Sequence, residues 1–180
     1  MSIFEISSIA LWVVVLINLI LTLAIIRHLS QQSATLVETL PKGSIIPDFQ
    51  AKSLDGKTVT YEDFSGKSLV LVFVSPSCGH CRPIIGEVES LYASAVKEGF
   101  EIAFICDGDL DQTRSFVDEM NITIPILSAS RINNSFLKDY KIGGVPTYVI
   151  ADSDKKVSAA GGLHNLGWEN FVNLCKGEEG

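Results

Sequence analysis

Apolar residues run unbroken in two stretches of this chain and recur at helical spacing in others. Residues 9–26 are almost wholly apolar, interrupted only by Asn18 and Thr22. About 18 such residues is the lower limit for a helix that crosses a bilayer. Residues 69–74, Leu-Val-Leu-Val-Phe-Val, show no alternation. That predicts a strand buried on both faces, as in a parallel sheet covered by helices. Beyond it, Cys81, Ile84, Ile85, Val88, Leu91, Tyr92 and Val96 form one stripe, which predicts a helix over 79–97 with that face on the sheet. Pro83 is expected to remove one backbone bond and kink this helix mildly, and Gly99 to stop it.

The remaining pattern alternates strands and helices. Strands are predicted over 101–106 and 122–127, and helices over 113–120 and 133–140. An acidic N-cap is expected in the loop 107–111. A hairpin joins 147–151 to 156–160 through Ser153-Asp154, and Asn165 caps a last helix carrying Trp168, Phe171, Val172 and Cys175. Ahead of these, Asp55-Gly56 reads as a two-residue turn joining 49–51 to 58–60. Alternation of this kind predicts an α/β fold, a central sheet with helices on both faces and an N-terminal hairpin extension.

The expected organisation is a tail over 1–8, a transmembrane anchor over 9–27, a polar tether over 28–42 and one domain over 43–180. No basic residue precedes the apolar run and no small-x-small site follows it, so the segment reads as an uncleaved anchor rather than a signal peptide. Trp12 suits an interfacial position. Arg27 and Lys42 follow the run while Glu5 precedes it. By the positive-inside rule this weakly places the domain in the cytoplasm.

The net charge of −7 argues against nucleic acid as a partner. Four cysteines are too few and too unevenly spaced for a stapled secreted scaffold. Cys106 and Cys175 stand alone and read as buried hydrophobes, with a disulfide between them left open. His164 reads as a surface loop residue. Asp107, Asp109 and Asp111 alternate like a metal loop but lack the glycine and distal glutamate of a calcium hand, so no metal is assigned.

The chemistry concentrates at Ser77-Cys78-Gly79-His80-Cys81-Arg82. A strand, a short turn and two cysteines opening a helix is the context a redox dithiol needs. The positive end of a helix stabilises a thiolate, and the thiolate is the nucleophile. Cys78, at the turn, is the expected attacking thiol. Cys81, which begins the apolar stripe, is the expected resolving one. Gly79 and His80 lie between them, and His80 can stabilise the thiolate as a donor or a cation. A structural disulfide or half a zinc site is the competing reading, but no second cysteine pair with ligand spacing exists.

These residues, with the segments Pro47-Asp48-Phe49, Asp55-Gly56-Lys57 and Phe64-Ser65-Gly66-Lys67 and the anchor, resemble the membrane-anchored TlpA/ResA group of thioredoxin-fold disulfide oxidoreductases. Within it, the anchor and Ser75-Pro76-Ser77-Cys78 are similar to the MauD proteins that mature methylamine dehydrogenase. The resemblance implies a domain outside the inner membrane, against the basic-residue count. It implies a protein substrate carrying a disulfide or dithiol, a membrane electron donor or acceptor, and no cofactor. It also implies that Val145-Pro146 is a cis-proline turn facing the dithiol, where substrate backbone can pair. The Gly79-His80 pair resembles that of protein disulfide isomerases. The acid that relays a proton in such folds has no counterpart: Val72 and Ile84 occupy the expected places, and Glu87 is expected to face water. Two other functions compete. A peroxide reductase would use Ser75, three residues before Cys78, although Leu71 replaces that family's proline. A copper carrier would use Cys78, Cys81 and His80 as ligands.

Overall fold

The computed structural model describes residues 3–33, 39–64 and 66–177, and within the first helix the side chains of residue 5 and residues 11–25. The chain divides into two units, Met1–Leu36 and Val37–Gly180.

The first unit holds α1, Ile3–Ser33, with Glu5 in its first turn, where a carboxylate favours the helix dipole. The helix begins within the expected tail and continues into the expected tether, whose residues 34–38 lie outside the described residues. Its apolar side chains from Leu11 to Ile25 stand about half exposed or more. Asn18 Nδ2 donates to the Val14 carbonyl and Thr22 Oγ1 to the Asn18 carbonyl, so both polar interruptions bond back to the helix itself. Among the described residues no helix is long and apolar enough to cross a membrane.

The second unit is built on a seven-stranded mixed sheet, ordered β2-β1-β5-β4-β3-β6-β7. The strands are β1 Gln50–Lys52, β2 Thr58–Thr60, β3 Ser68–Val74, β4 Phe100–Cys106, β5 Ile126–Ser128, β6 Thr147–Ala151 and β7 Val157–Gly162. β3 lies centrally, parallel to β4 and antiparallel to β6. Side chains alternate faces along a strand, and β3 shows the consequence. Val70, Val72 and Val74 pack on one face with α2 (Cys81–Lys97), α3 (Leu110–Met120) and α5 (Leu166–Lys176). Leu69, Leu71 and Phe73 pack on the other with α4 (Phe136–Asp139) and with Leu40, Ile46 and Phe49 of the entry segment. An unalternating sequence therefore makes a strand with two buried faces.

Several local expectations are corrected. The β1–β2 connection spans residues 53–57, closed by Ser53 N–H to Lys57 O and Gly56 N–H to Ser53 O, and is longer than a two-residue turn. α2 starts at Cys81, so Pro83 is its third residue. There the missing N–H is one that would have had no helical partner, which leaves no cause for a kink. α4 is only four residues long. Asn134 Oδ1 accepts from the Phe136 N–H while its Nδ2 donates to Gln50 O, which ends the helix on its N-terminal side. The strand expected over 122–127 is confined to Ile126–Ser128. Asp109 does cap α3, in a reciprocal box with Gln112. Gly99, at φ 82° just past the C-cap of α2, takes a conformation that costs glycine nothing.

Candidate active site

β3 delivers the chain to the site. After Val74 the backbone turns through Ser75, Pro76 and Ser77. Cys78 N–H donates to Ser75 O (3.0 Å) and Cys81 N–H to Cys78 O (3.1 Å). Gly79 and His80 form the turn between the cysteines. His80 is the N-cap of α2, is exposed, and makes no side-chain capping bond. Cys78 thus precedes the helix by a full turn of chain, rather than sitting one residue before its start. Its side chain is half-buried, whereas Cys81 is fully buried. All four cysteines are free thiols, which leaves Cys106 and Cys175 unpaired and buried.

The second half of the site comes from the approach to β6. The Val145–Pro146 peptide bond is cis. Thr147 Oγ1, fully buried, donates to Gly144 O (2.6 Å) and pins the turn. Cys78 Sγ lies 3.6 Å from the Val145 carbonyl as donor. Segments 67 residues apart therefore meet at one sulfur.

The two thiols differ in environment. Burial first, then a hydrogen bond with the Cys78 side chain, pushes the Cys81 thiol up to about 12. Val72 and Ile84 are buried and apolar, so neither can accept its proton. Glu87 is exposed and accepts from Trp168 Nε1 (3.1 Å). Burial also raises Cys106 and Cys175 to about 11 and Tyr148 to about 12. A group whose folded pKa is raised contributes stability that is intact below its unfolded value and is lost as pH rises through the folded one. The urea midpoint of the protein is therefore expected to hold from pH 6 to about 8, near the unfolded thiol value of ~8.5, and to fall steadily above about 9. A midpoint that stays flat to pH 11 would contradict the buried placement of these groups.

The neighbouring polar residues have assigned partners. Ser75 Oγ shares a hydrogen bond with Ser77 Oγ (3.1 Å) and reaches Asp107 O (3.5 Å). No bond joins it to Cys78 among the described residues, so the serine expected of a peroxide reductase is engaged elsewhere. The acidic loop is likewise divided. Asp107 holds the Arg131 N–H and guanidinium, Asp109 caps α3, and Asp111 pairs with Arg114. Among the described residues no group of three or more His, Cys, Asp or Glu side chains is gathered for a metal. The sequence did not single out Arg82 as an anchor, yet its Nη1 pairs with Glu119 (2.6 Å) and ties the start of α2 to α3.

The AhpC/TSA family model matches residues 43–160. The thiol-disulfide oxidoreductase ResA of Bacillus thuringiensis is 30% identical over 147 residues, 79% of this chain and 82% of that protein. ResA of Oceanobacillus iheyensis is 34% identical over 111 residues, 58% of this chain. The chain spans only 56% of the length of that second relative. The solution structure of a thiol:disulfide interchange protein from a Bacteroides species superposes with a TM-score of 0.66 at 21% identity, covering 79% of this chain and 93% of that one, which speaks to the fold alone. The chain belongs to the AhpC/TSA family of thioredoxin-like proteins, in the TlpA/ResA group of thiol-disulfide oxidoreductases.

Proposed function

We propose that this protein exchanges disulfides with a protein substrate through Cys78 and Cys81. One observation carries the reading: a half-buried thiol meets the carbonyl of a cis-proline turn at 3.6 Å, with a fully buried second thiol hydrogen-bonded behind it. In the reducing direction the Cys78 thiolate attacks one sulfur of a substrate disulfide. A bond forms between Cys78 and that sulfur, and the other substrate sulfur leaves as a thiolate. Cys81 then loses its proton and attacks the Cys78 sulfur, and the mixed disulfide breaks. The products are a Cys78–Cys81 disulfide and a substrate reduced by two electrons. Read backwards, the oxidised pair takes two electrons from a substrate dithiol. The Val145 N–H has no hydrogen-bond partner among the described residues. An extended substrate segment can pair there as an added strand. The two sulfurs carry the chemistry without a cofactor.

The finer reading is that α1 anchors the domain in the inner membrane, facing outward, where it works on an extracytoplasmic enzyme during maturation and exchanges electrons with a membrane partner. The exposed apolar side chains of α1 and the self-bonded Asn18 and Thr22 support it, because polar groups in lipid must be satisfied within the helix.

The test is insulin-disulfide reduction by the full chain in detergent with dithiothreitol, alongside labelling of Cys78 in intact cells by a membrane-impermeant maleimide. Catalysed insulin precipitation and labelling without lysis are the expected results. No acceleration over dithiothreitol alone would refute exchange, and labelling only after lysis would refute the outward orientation.

A further inference from the structure

Beside the cis-proline turn lies a cleft of about 410 Å³ whose lining includes Arg131, Lys138, Lys141 and Gly143. Its charge runs against that of the molecule, which carries −7 overall. Arg131 is engaged by Asp107. Lys138 and Lys141 are exposed and pair with no carboxylate among the described residues. Next to Arg131, Ile132 stands 90% exposed.

The backbone places one of these lysines at a cost. Lys141 N–H donates to Lys138 O (2.9 Å) and Ile142 N–H to Leu137 O (2.8 Å), the paired bonds of a helix C-terminus closed by a left-handed residue. That residue is Lys141, at φ 55°, where glycine would sit without strain. Two residues of the cleft lining are tied to the segments that hold the dithiol. Gly143 is two residues from Val145, whose carbonyl receives Cys78 Sγ. The Asp107 that holds Arg131 also accepts, at its carbonyl, from Ser75.

We propose that this cleft seats an acidic segment of the substrate protein. Its carboxylates face Lys138 and Lys141, and an apolar side chain lies on Ile132, while its cysteine is presented to Cys78 across the cis-proline turn. The proposal rests on the exchange reading above and names the class of substrate that the site selects. Opposed charge at a docking surface raises encounter rate and suppresses wrong partners.

The test uses the full chain in detergent and disulfide peptides that differ only in carrying two glutamates or two lysines, two and three positions from the cysteine, on either side. The neutral 2-hydroxyethyl disulfide serves as control. The native protein is expected to favour the glutamate peptide by about tenfold in kcat/KM at low salt, with the preference shrinking as ionic strength rises. The K138E/K141E double variant is expected to reverse the preference, and K138R/K141R to keep it. Both variants should reduce the neutral disulfide at the native rate. Equal turnover of the two peptides by the native protein, or an unchanged preference in K138E/K141E, overturns the acidic-segment proposal and leaves exchange standing. Failure of the native protein on the neutral disulfide overturns exchange itself, and this proposal with it.

Discussion

Cys78→Ser is expected to abolish exchange with protein disulfides, lowering kcat/KM on the order of 10³-fold or more, the scale on which removing a catalytic nucleophile acts. A serine hydroxyl at this position cannot form a mixed disulfide, and no other thiol can replace it. Cys81, Cys106 and Cys175 are buried, and burial holds each in its protonated form well above neutral pH. The fold should not change. The Cys78 side chain is half-buried, and its sulfur makes only weak thiol bonds, to Val145 O at 3.6 Å and with the Cys81 side chain. The unfolding free energy of the variant from urea titration should therefore match the native one within about 0.5 kcal/mol, as for substitutions outside the core. A variant that folds like the native protein and still reduces insulin would place the nucleophile elsewhere and end the present reading.

How much of this was legible in the sequence depended on the range of the interaction. β3 could be read because burial on both faces leaves a mark on consecutive residues, Leu69 to Val74. An acidic cap within 107–111, which proves to be Asp109, and the cap at Asn165 could be read because each acts on a backbone N–H three residues away. The Cys78–Cys81 spacing is equally local. The start of α2 was misplaced because Gly79 and His80 carry no pattern that separates a turn from a first helical turn, and the length of α4 was misjudged because its limit is a bond from Asn134 to Gln50, 84 residues away. The basic cleft was invisible for the same reason. Its character depends on Asp107 taking Arg131 across 24 residues, while Lys138 and Lys141 pair with no acid among the described residues. Charge counted along the chain shows only the sum, −7.

The second large effect concerns Cys81. Cys81→Ala is expected to retain the attack by Cys78 and lose its resolution. One equivalent of substrate thiol should be released, after which the protein should persist as a mixed disulfide on a non-reducing gel, with turnover lost by about 10²-fold or more in the absence of added thiol. Resolution in the native protein has its own signature. The largest cause of the raised Cys81 value is burial, which persists when Cys78 is bonded to substrate, and Val72 and Ile84 offer no base. A thiol that burial holds well above the ordinary value is almost wholly protonated at pH 7, and its reactive anion grows about tenfold per pH unit. The native resolution rate should therefore climb about tenfold per unit from pH 6 to 9. A flat native resolution profile would mean that some group takes the proton from Cys81 after all. A Cys81→Ala protein that turns over freely would show that the buried sulfur has no part in the exchange.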